Sequence, residues 1–278
     1  MTTADFSGII FSSAVLAGLL GSLTGLGGGV VIVPVLTLLF HVDIHYAIGA
    51  SLVSVIATSS GAAAAYVREG YSNIRIGMFL EIATTLGALV GAYLTTRVSA
   101  HAIGLIFGLV LLYSAFASVK KKHRQTGMAK KNTLAEALRL RGSFPGVNGE
   151  EEYEAQHVPA GFGLMFSAGT LSGLLGIGSG AVKVLAMDQA MGLPFKVSTT
   201  TSNFMIGVTA AASAGIYLSR GYISPGLAMP VMLGVLAGSL TGAKILVHAD
   251  VKTLRILFAL VIVALGIEMI VNSLTGRL

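Results

Sequence analysis

Apolar runs of bilayer length, separated by short polar breaks, fill most of this chain. The first runs from about residue 8 to about 40, and others follow at about 46–67, 76–96 and 102–119. A polar stretch covers about 120–158. The pattern then resumes at about 160–190, 197–219, 224–246 and 253–274. A helix needs ~20 apolar residues to cross a bilayer, so the shorter runs predict single transmembrane helices. The first run and the one at about 160–190 are too long for one simple crossing, and each is cut by glycines. Gly25-Leu26-Gly27-Gly28-Gly29 interrupts the first, and Gly176-Ile177-Gly178-Ser179-Gly180 interrupts the other 151 residues later. A glycine cluster breaks a helix, because glycine loses the most backbone entropy on ordering and adds no packing. In lipid, the freed N–H and C=O groups must line a protein-enclosed cavity or meet a solute. The pattern predicts an all-α polytopic membrane protein with glycine-broken helices and about 8–10 membrane segments.

The two halves align in order. The hydroxyl-rich run beginning at Ser51 matches one beginning at Thr200, and Gly87 and Gly91 match Gly234 and Gly238. This order implies an internal duplication. Three parts follow: an N-terminal membrane repeat over 1–119, a charged linker over 120–158, and a C-terminal membrane repeat over 159–278.

Charge then sets orientation. Eight of the 18 Lys and Arg residues lie between Lys120 and Arg141, which predicts a cytoplasmic linker because cytoplasmic loops carry excess positive charge. Within it, Leu134–Leu140 reads as a short amphipathic helix at the membrane surface, and the acidic run Glu150, Glu151, Glu152 and Glu154 reads as solvated linker. If each broken segment crosses once, the repeats are parallel. Arg68, Arg75, Arg220 and Arg277 are then inside, against Arg97, Lys196, Lys244, Lys252 and Arg255 outside. If each dips in and returns, or crosses twice with short helices, the repeats are inverted. Arg68, Arg75, Lys196, Lys244, Lys252 and Arg255 are then inside, leaving Arg97, Arg220 and Arg277 outside. The second count obeys the positive-inside rule better, so inverted repeats are expected, with the termini on opposite sides.

Composition narrows the class. Hydrophobic residues make up 54% of the chain and charged ones 11%, where a soluble domain has about 25% charged. Cysteine is absent, which removes disulfides and thiolate metal sites. The net charge of +6 does not point to nucleic acid, since eight of the 18 Lys and Arg residues sit in one loop. No paired carboxylates, His-Glu-x-x-His or Gly-x-Ser-x-Gly occur, so an enzyme is not expected, and no cofactor or metal is called for.

Candidate chemistry gathers around the breaks. A half-helix starting after each cluster exposes N–H groups without intrahelical partners at a partly positive dipole end, which suits an anion. Gly25, Gly27, Gly28 and Gly29, with Gly178, Ser179 and Gly180, are therefore candidate substrate-binding residues. Ser51, Ser54 and Thr58 follow at i, i+3 and i+7 on one helical face. Thr200, Thr201, Ser202 and Asn203 form the matching polar run. Their hydroxyls and amide can donate to an oxyanion without a competing charge, or bond their own helix backbone. Lys183 stands alone in an apolar stretch, and a cation inside a span is a functional hypothesis by default. Its alternative is a snorkelling or salt-bridged role, with Asp188 as partner. Glu81 and Glu268 are intramembrane acids that could carry a coupling proton; each also lies within about two turns of a span end, which equally reads as an interfacial position.

The run Gly21-Ser22-Leu23-Thr24-Gly25-Leu26-Gly27-Gly28-Gly29-Val30-Val31-Ile32-Val33-Pro34-Val35-Leu36, with Ala50-Ser51-Leu52 and the Glu81…Gly87…Gly91 spacing, resembles the TauE/SafE family of sulfite and organosulfonate exporters. The second copy departs from the family pattern, with Ser179 in place of Gly, Leu185 in place of Pro, and the added Lys183. The resemblance implies secondary transport of small sulfur oxyanions or sulfonates in a prokaryotic plasma membrane, often as export. Alternating access, with one repeat rocking against the other around a mid-membrane site, is the expected mechanism. The expected partners are a small anionic substrate, the lipid bilayer and a coupling proton. An anion channel, or a carrier of another small anion such as a carboxylate, is the alternative.

Overall fold

The computed structural model describes residues 3–24, 28–68, 72–119, 133–146, 149–246 and 251–276. The first half holds α1 (Thr3–Thr24), α2 (Gly29–Pro34), α3 (Ile44–Arg68), α4 (Ile74–Leu94) and α5 (Ala100–Val119). The linker holds α6 (Thr133–Ala137) and an antiparallel hairpin of β1 (Arg141–Gly146) and β2 (Gly149–Glu154). The second half holds α7 (Val158–Leu175), α8 (Gly180–Leu185), α9 (Phe195–Ser219), α10 (Pro225–Leu246) and α11 (Val251–Leu274). From α8 onward each helix starts 151 residues after its counterpart. A π-helical turn extends α2 over Val35–Leu39 and α8 over Ala186–Ala190. Pro34 precedes the first and Leu185 the second, so proline is not what creates this turn.

Each broken segment folds back on itself. Gly28 lies against Gly18, and the ring of Phe40 meets that of Phe6 edge-on at 6.1 Å. The second half repeats the path. Ser179 Oγ donates to the Ala168 carbonyl at 2.6 Å, Met191 packs on Gly161, and Gln156 N donates to the Met191 carbonyl at 2.8 Å. In both halves the short helix therefore runs back beside the long one. Reversal in the second half is made by left-handed residues, Gly176 (φ +67°), Gly178 (φ +68°) and Ser179 (φ +44°), a region open to glycine at no steric cost.

The hairpin of one half packs on a span of the other. Gly87 and Gly91 of α4 face the Phe166 and Thr170 carbonyls of α7, while Gly169 and Gly173 of α7 face the Thr84 and Ala88 carbonyls of α4. The pairing of α1 with α10 repeats this, with Gly234 and Gly238 against the Phe11 and Val15 carbonyls. Small residues let helix backbones touch where lipid supplies no hydrophobic drive. The counterpart helices run antiparallel: Gly49 of α3 lies on Tyr222 beyond α9, and Gly207 of α9 lies on Ser59 of α3. The same holds for α5 and α11, where Gly108 meets Gly266 and Gly276 approaches His101.

One expectation is corrected by these contacts. The start of α1 meets Phe40. His45, just beyond, stacks on Tyr222 at 5.0 Å and points Nε2 at the Thr95 carbonyl, and Gly276 sits beside His101. The start of α1 and the end of α11 share one face rather than lying on opposite ones. The reason is parity: each half makes three net crossings, and two odd numbers sum to an even one.

Large apolar side chains cover the outside of the bundle, among them Leu16, Met78, Ile82, Leu86, Phe116, Leu240, Leu260 and Val271. Soluble monomers do not expose such a continuous apolar surface; lipid is its solvent. Ile74–Leu94 and Val158–Leu175 are each long and apolar enough to cross a bilayer.

The described part of the linker, from 133 onward, is a folded cap. Ala135, Leu140 and Ala155 are buried with Ile76, Leu80, Met187 and Met191 in a second core. Asn73 ties the cap down. Its Oδ1 accepts from Ile76 N at 3.0 Å to cap α4, and its Nδ2 donates to the Tyr153 hydroxyl at 2.9 Å. Burial pushes the Tyr153 phenol up from its ordinary pKa, which keeps that hydroxyl neutral. Asn73→Ala should cost about 1 kcal/mol through the lost helix cap. It should also loosen the hairpin. Limited proteolysis checks this: faster cleavage between 141 and 154 is expected, and an unchanged digestion pattern would show that the hairpin holds without Asn73.

Candidate functional site

The breaks meet inside the bundle. Gly29, the first residue of α2, packs against Ser51 of α3 and the Gly176 carbonyl at the end of α7. Gly178 sits between Val55 of α3 and Ile206 of α9, and Gly180 lies against Ile206 and Ser202. Thus Gly28, Gly29, Ser51, Gly178, Ser179, Gly180 and Ser202 come together. Gly25 and Gly27 lie outside the described residues.

The hydroxyls of this region are engaged with backbone carbonyls. Ser51 Oγ donates across the halves to Gly176 O at 2.7 Å, and Ser202 Oγ to Gly180 O at 3.3 Å. Ser54 and Thr58 donate to Ser51 O and Ser54 O one turn back, and Thr200 to Lys196 O. Thr201 Oγ1 accepts from Asn73 N at 3.0 Å, linking this helix to the cap. Asn203 is half-buried on α9. Back-bonding of this kind is the ordinary habit of Ser and Thr in helices. Of these hydroxyls, Ser51 and Ser202 tether the break segments, while Ser54, Thr58 and Thr200 bond within their own helices.

Lys183 occupies the centre of a buried polar cluster. Its side chain has no exposure, and Glu81 of α4 is 8% exposed. Lys183 Nζ donates to Thr209 Oγ1 of α9 at 2.5 Å, and Thr209 Oγ1 lies 2.7 Å from Glu81 Oε1. Thr85 Oγ1 also donates to Glu81 Oε1, at 3.1 Å. The bonding partner of Lys183 is therefore Thr209, and through it Glu81, where the sequence had offered Asp188. Unlike charges in low dielectric attract strongly, and each of this pair acts on the other. Glu268 stands apart from Glu81, exposed on the outside of α11.

Sequence reasoning missed two participants. Thr209 could have been found as the counterpart of Thr58 one repeat on, a turn and a half beyond the polar run. Ser172, just before the Gly176 break, has a buried Oγ without a hydrogen-bond partner. Its helix also carries Ser167 and Thr170, and nothing in the spacing sets Ser172 apart.

These features now meet comparison with known proteins. The sequence profile described as "Sulfite exporter TauE/SafE" matches residues 10–269. The chain belongs to the TauE/SafE family. Among curated relatives, the family member "Probable membrane transporter protein YunE" of Bacillus subtilis is 29% identical over 96% of this chain and 98% of its own length. "Probable membrane transporter protein YdhB" of the same organism is 28% identical, over 82% and 86%. "Probable membrane transporter protein MJ0441" of Methanocaldococcus jannaschii is 24% identical over 92% of each chain. No solved structure matches. This TauE/SafE protein is an integral membrane transporter.

Proposed function

We propose that this TauE/SafE protein is a secondary carrier that exports small sulfur oxyanions or sulfonates, such as sulfite, by alternating access. The observation that carries the reading is the meeting of the two glycine breaks, with a fully buried lysine on the short helix that begins after the second. Gly29 and Gly176 pack together at the crossover of the halves, and Lys183 follows three residues after the start of α8. The N–H groups at the start of α2 and α8 precede the first intrahelical bonds, which run from Val31 N to Gly28 O and from Lys183 N to Ser179 O. Such N–H groups and a cation together suit a compact oxyanion. Two inverted repeats are the architecture we infer. What supports it is that α3 and α9, and α5 and α11, counterparts in the duplication, run antiparallel. The six-to-three excess of Lys and Arg on the linker side agrees.

A thermal-shift screen of the purified chain against sulfite, sulfate, thiosulfate, taurine and simple carboxylates tests the substrate class, because only binders of the native state stabilise it. A rise in melting temperature confined to the sulfur anions is expected. A response to carboxylates alone would overturn the sulfur assignment. Counterflow in proteoliposomes tests the mechanism: labelled anion should accumulate against unlabelled anion inside, and its absence with intact downhill flux would mean a channel.

A further inference from the structure

We propose that Lys183, Thr209 and Glu81 make anion binding and proton binding one event, so that each monovalent anion carried is accompanied by one proton. This rests on the carrier reading above and adds its coupling ion and stoichiometry. The cluster holds one cation and one acid, drawn from α8 and α4, with the Thr209 hydroxyl between them. All three are buried. A charge left alone in that setting is strongly unfavourable, so Lys183 needs one neutralising partner at all times. When the site is empty of solute, the Glu81 carboxylate serves. When an anion binds Lys183, the anion serves, and a carboxylate would then be a surplus negative charge.

The atoms show where the proton goes. Both Thr209 and Thr85 engage Glu81 Oε1, while Glu81 Oε2 is buried without a hydrogen-bond partner. The proton, taken from water on the side to which the site is open, forms an O–H bond at Oε2 as the anion arrives. It leaves to water as the anion departs. An ammonium has three donors, and Thr209 occupies one, so the anion joins Lys183 without displacing the threonine. Net charge in the cluster stays at zero through both halves of the cycle.

Among the described residues, the other titratable groups on the helices packed here lie away from this cluster. α7 carries none. On α9, Lys196 is exposed in the first turn and Tyr217 is bonded to Thr95 and Gly173 near the last. Arg75 and Tyr93 are exposed in the first and last turns of α4, and Asp188 is half-buried on the π turn beyond α8. The counterpart positions in the other half are Ile32, Thr58 and Met232. The duplication therefore supplies one charged cluster, and the stoichiometry is one to one.

Methanesulfonate is the probe, because its sulfonate stays a monoanion between about pH 5 and 8. Its dissociation constant for the purified chain should fall about tenfold per unit drop in pH across the range where Glu81 titrates, the slope for one linked proton. In Glu81→Gln the constant should lose its pH dependence. A ligand-free arm uses melting temperatures. Glu81→Gln and Lys183→Met should each lower the midpoint, and the double variant should regain most of the loss. Additive losses would show that the two charges do not neutralise one another and would overturn the proposal. Binding of methanesulfonate that is flat with pH in the wild-type chain would also overturn it, while leaving the carrier reading standing. Failure of methanesulfonate to bind at any pH would defeat the sulfonate reading and this inference with it.

Discussion

Gly173→Val is expected to keep the folded chain from accumulating. Gly173 lies in α7 with its Cα against α4, and a Cβ there would fall on the Ala88 carbonyl and within 2.8 Å of its carbon and of Ala92 N. These are backbone atoms of a helix, so no rotamer change relieves the overlap. Overpacking typically costs 1–3 kcal/mol when side chains can adjust; here the helices must separate, and about 3 kcal/mol is a lower figure. The same contact recurs at Gly169, Gly87 and Gly91, so parting α4 from α7 at one level loosens every level. Gly163, on the same helix, has nothing within 4 Å of its Cβ position, and Gly163→Val is the control. Fluorescence-detected size exclusion and a thermal melt read both variants. A Gly173→Val protein with wild-type yield and melting temperature would mean that the α4–α7 contact is looser than described.

Lys183→Met is expected to abolish exchange and to lower stability together. Methionine fills the volume but leaves the Glu81 carboxylate facing Thr209 and Thr85 with no cation. Removing one member of a buried pair typically costs 3–5 kcal/mol, far more than a surface charge would. Sulfite counterflow should fall to the level of empty liposomes. Lys183→Arg keeps the charge and should retain more stability than Lys183→Met. Full counterflow in Lys183→Met would remove this lysine from the transport site.

Much of this was legible in the chain because lipid simplifies the code. Span lengths are set by bilayer thickness, and a glycine cluster inside a span has few meanings. Copies of the same pattern 151 residues apart then fixed element order through α5 and α11. Positive charge alone favoured returning segments, and the Phe6–Phe40 and Gly161–Met191 contacts follow that path. Other features depend on partners far away in sequence. Ser51, Ser54 and Thr58 share a helical face, yet only Ser51 reaches across to the other half, because only it lies level with Gly176. Glu81 lies two turns into its helix and read as interfacial. The cap buries that end of α4 by laying Leu140 and Ala155 into the core beside Leu80. The strands of the cap were hidden because Glu150, Glu151 and Glu152 look like solvated charge. Pairing with Arg141–Phe144 and burial around Tyr153 outweigh that local signal.

The interlocked glycine contacts constrain how such a molecule can change shape. Surfaces that interdigitate backbone to backbone do not slide; they travel as one piece. α7 is keyed to α4, and α1 to α10, so each packed unit is a hybrid, uniting the broken segment of one copy with a long helix of the other. In the alternating cycle proposed above, motion would then be taken up along the seam of α3 with α9, where Ser51 holds Gly176 and Ser59 meets Gly207. Engineered cross-links would separate the two cases, freezing turnover when they staple that seam and leaving it intact when they join α4 to α7.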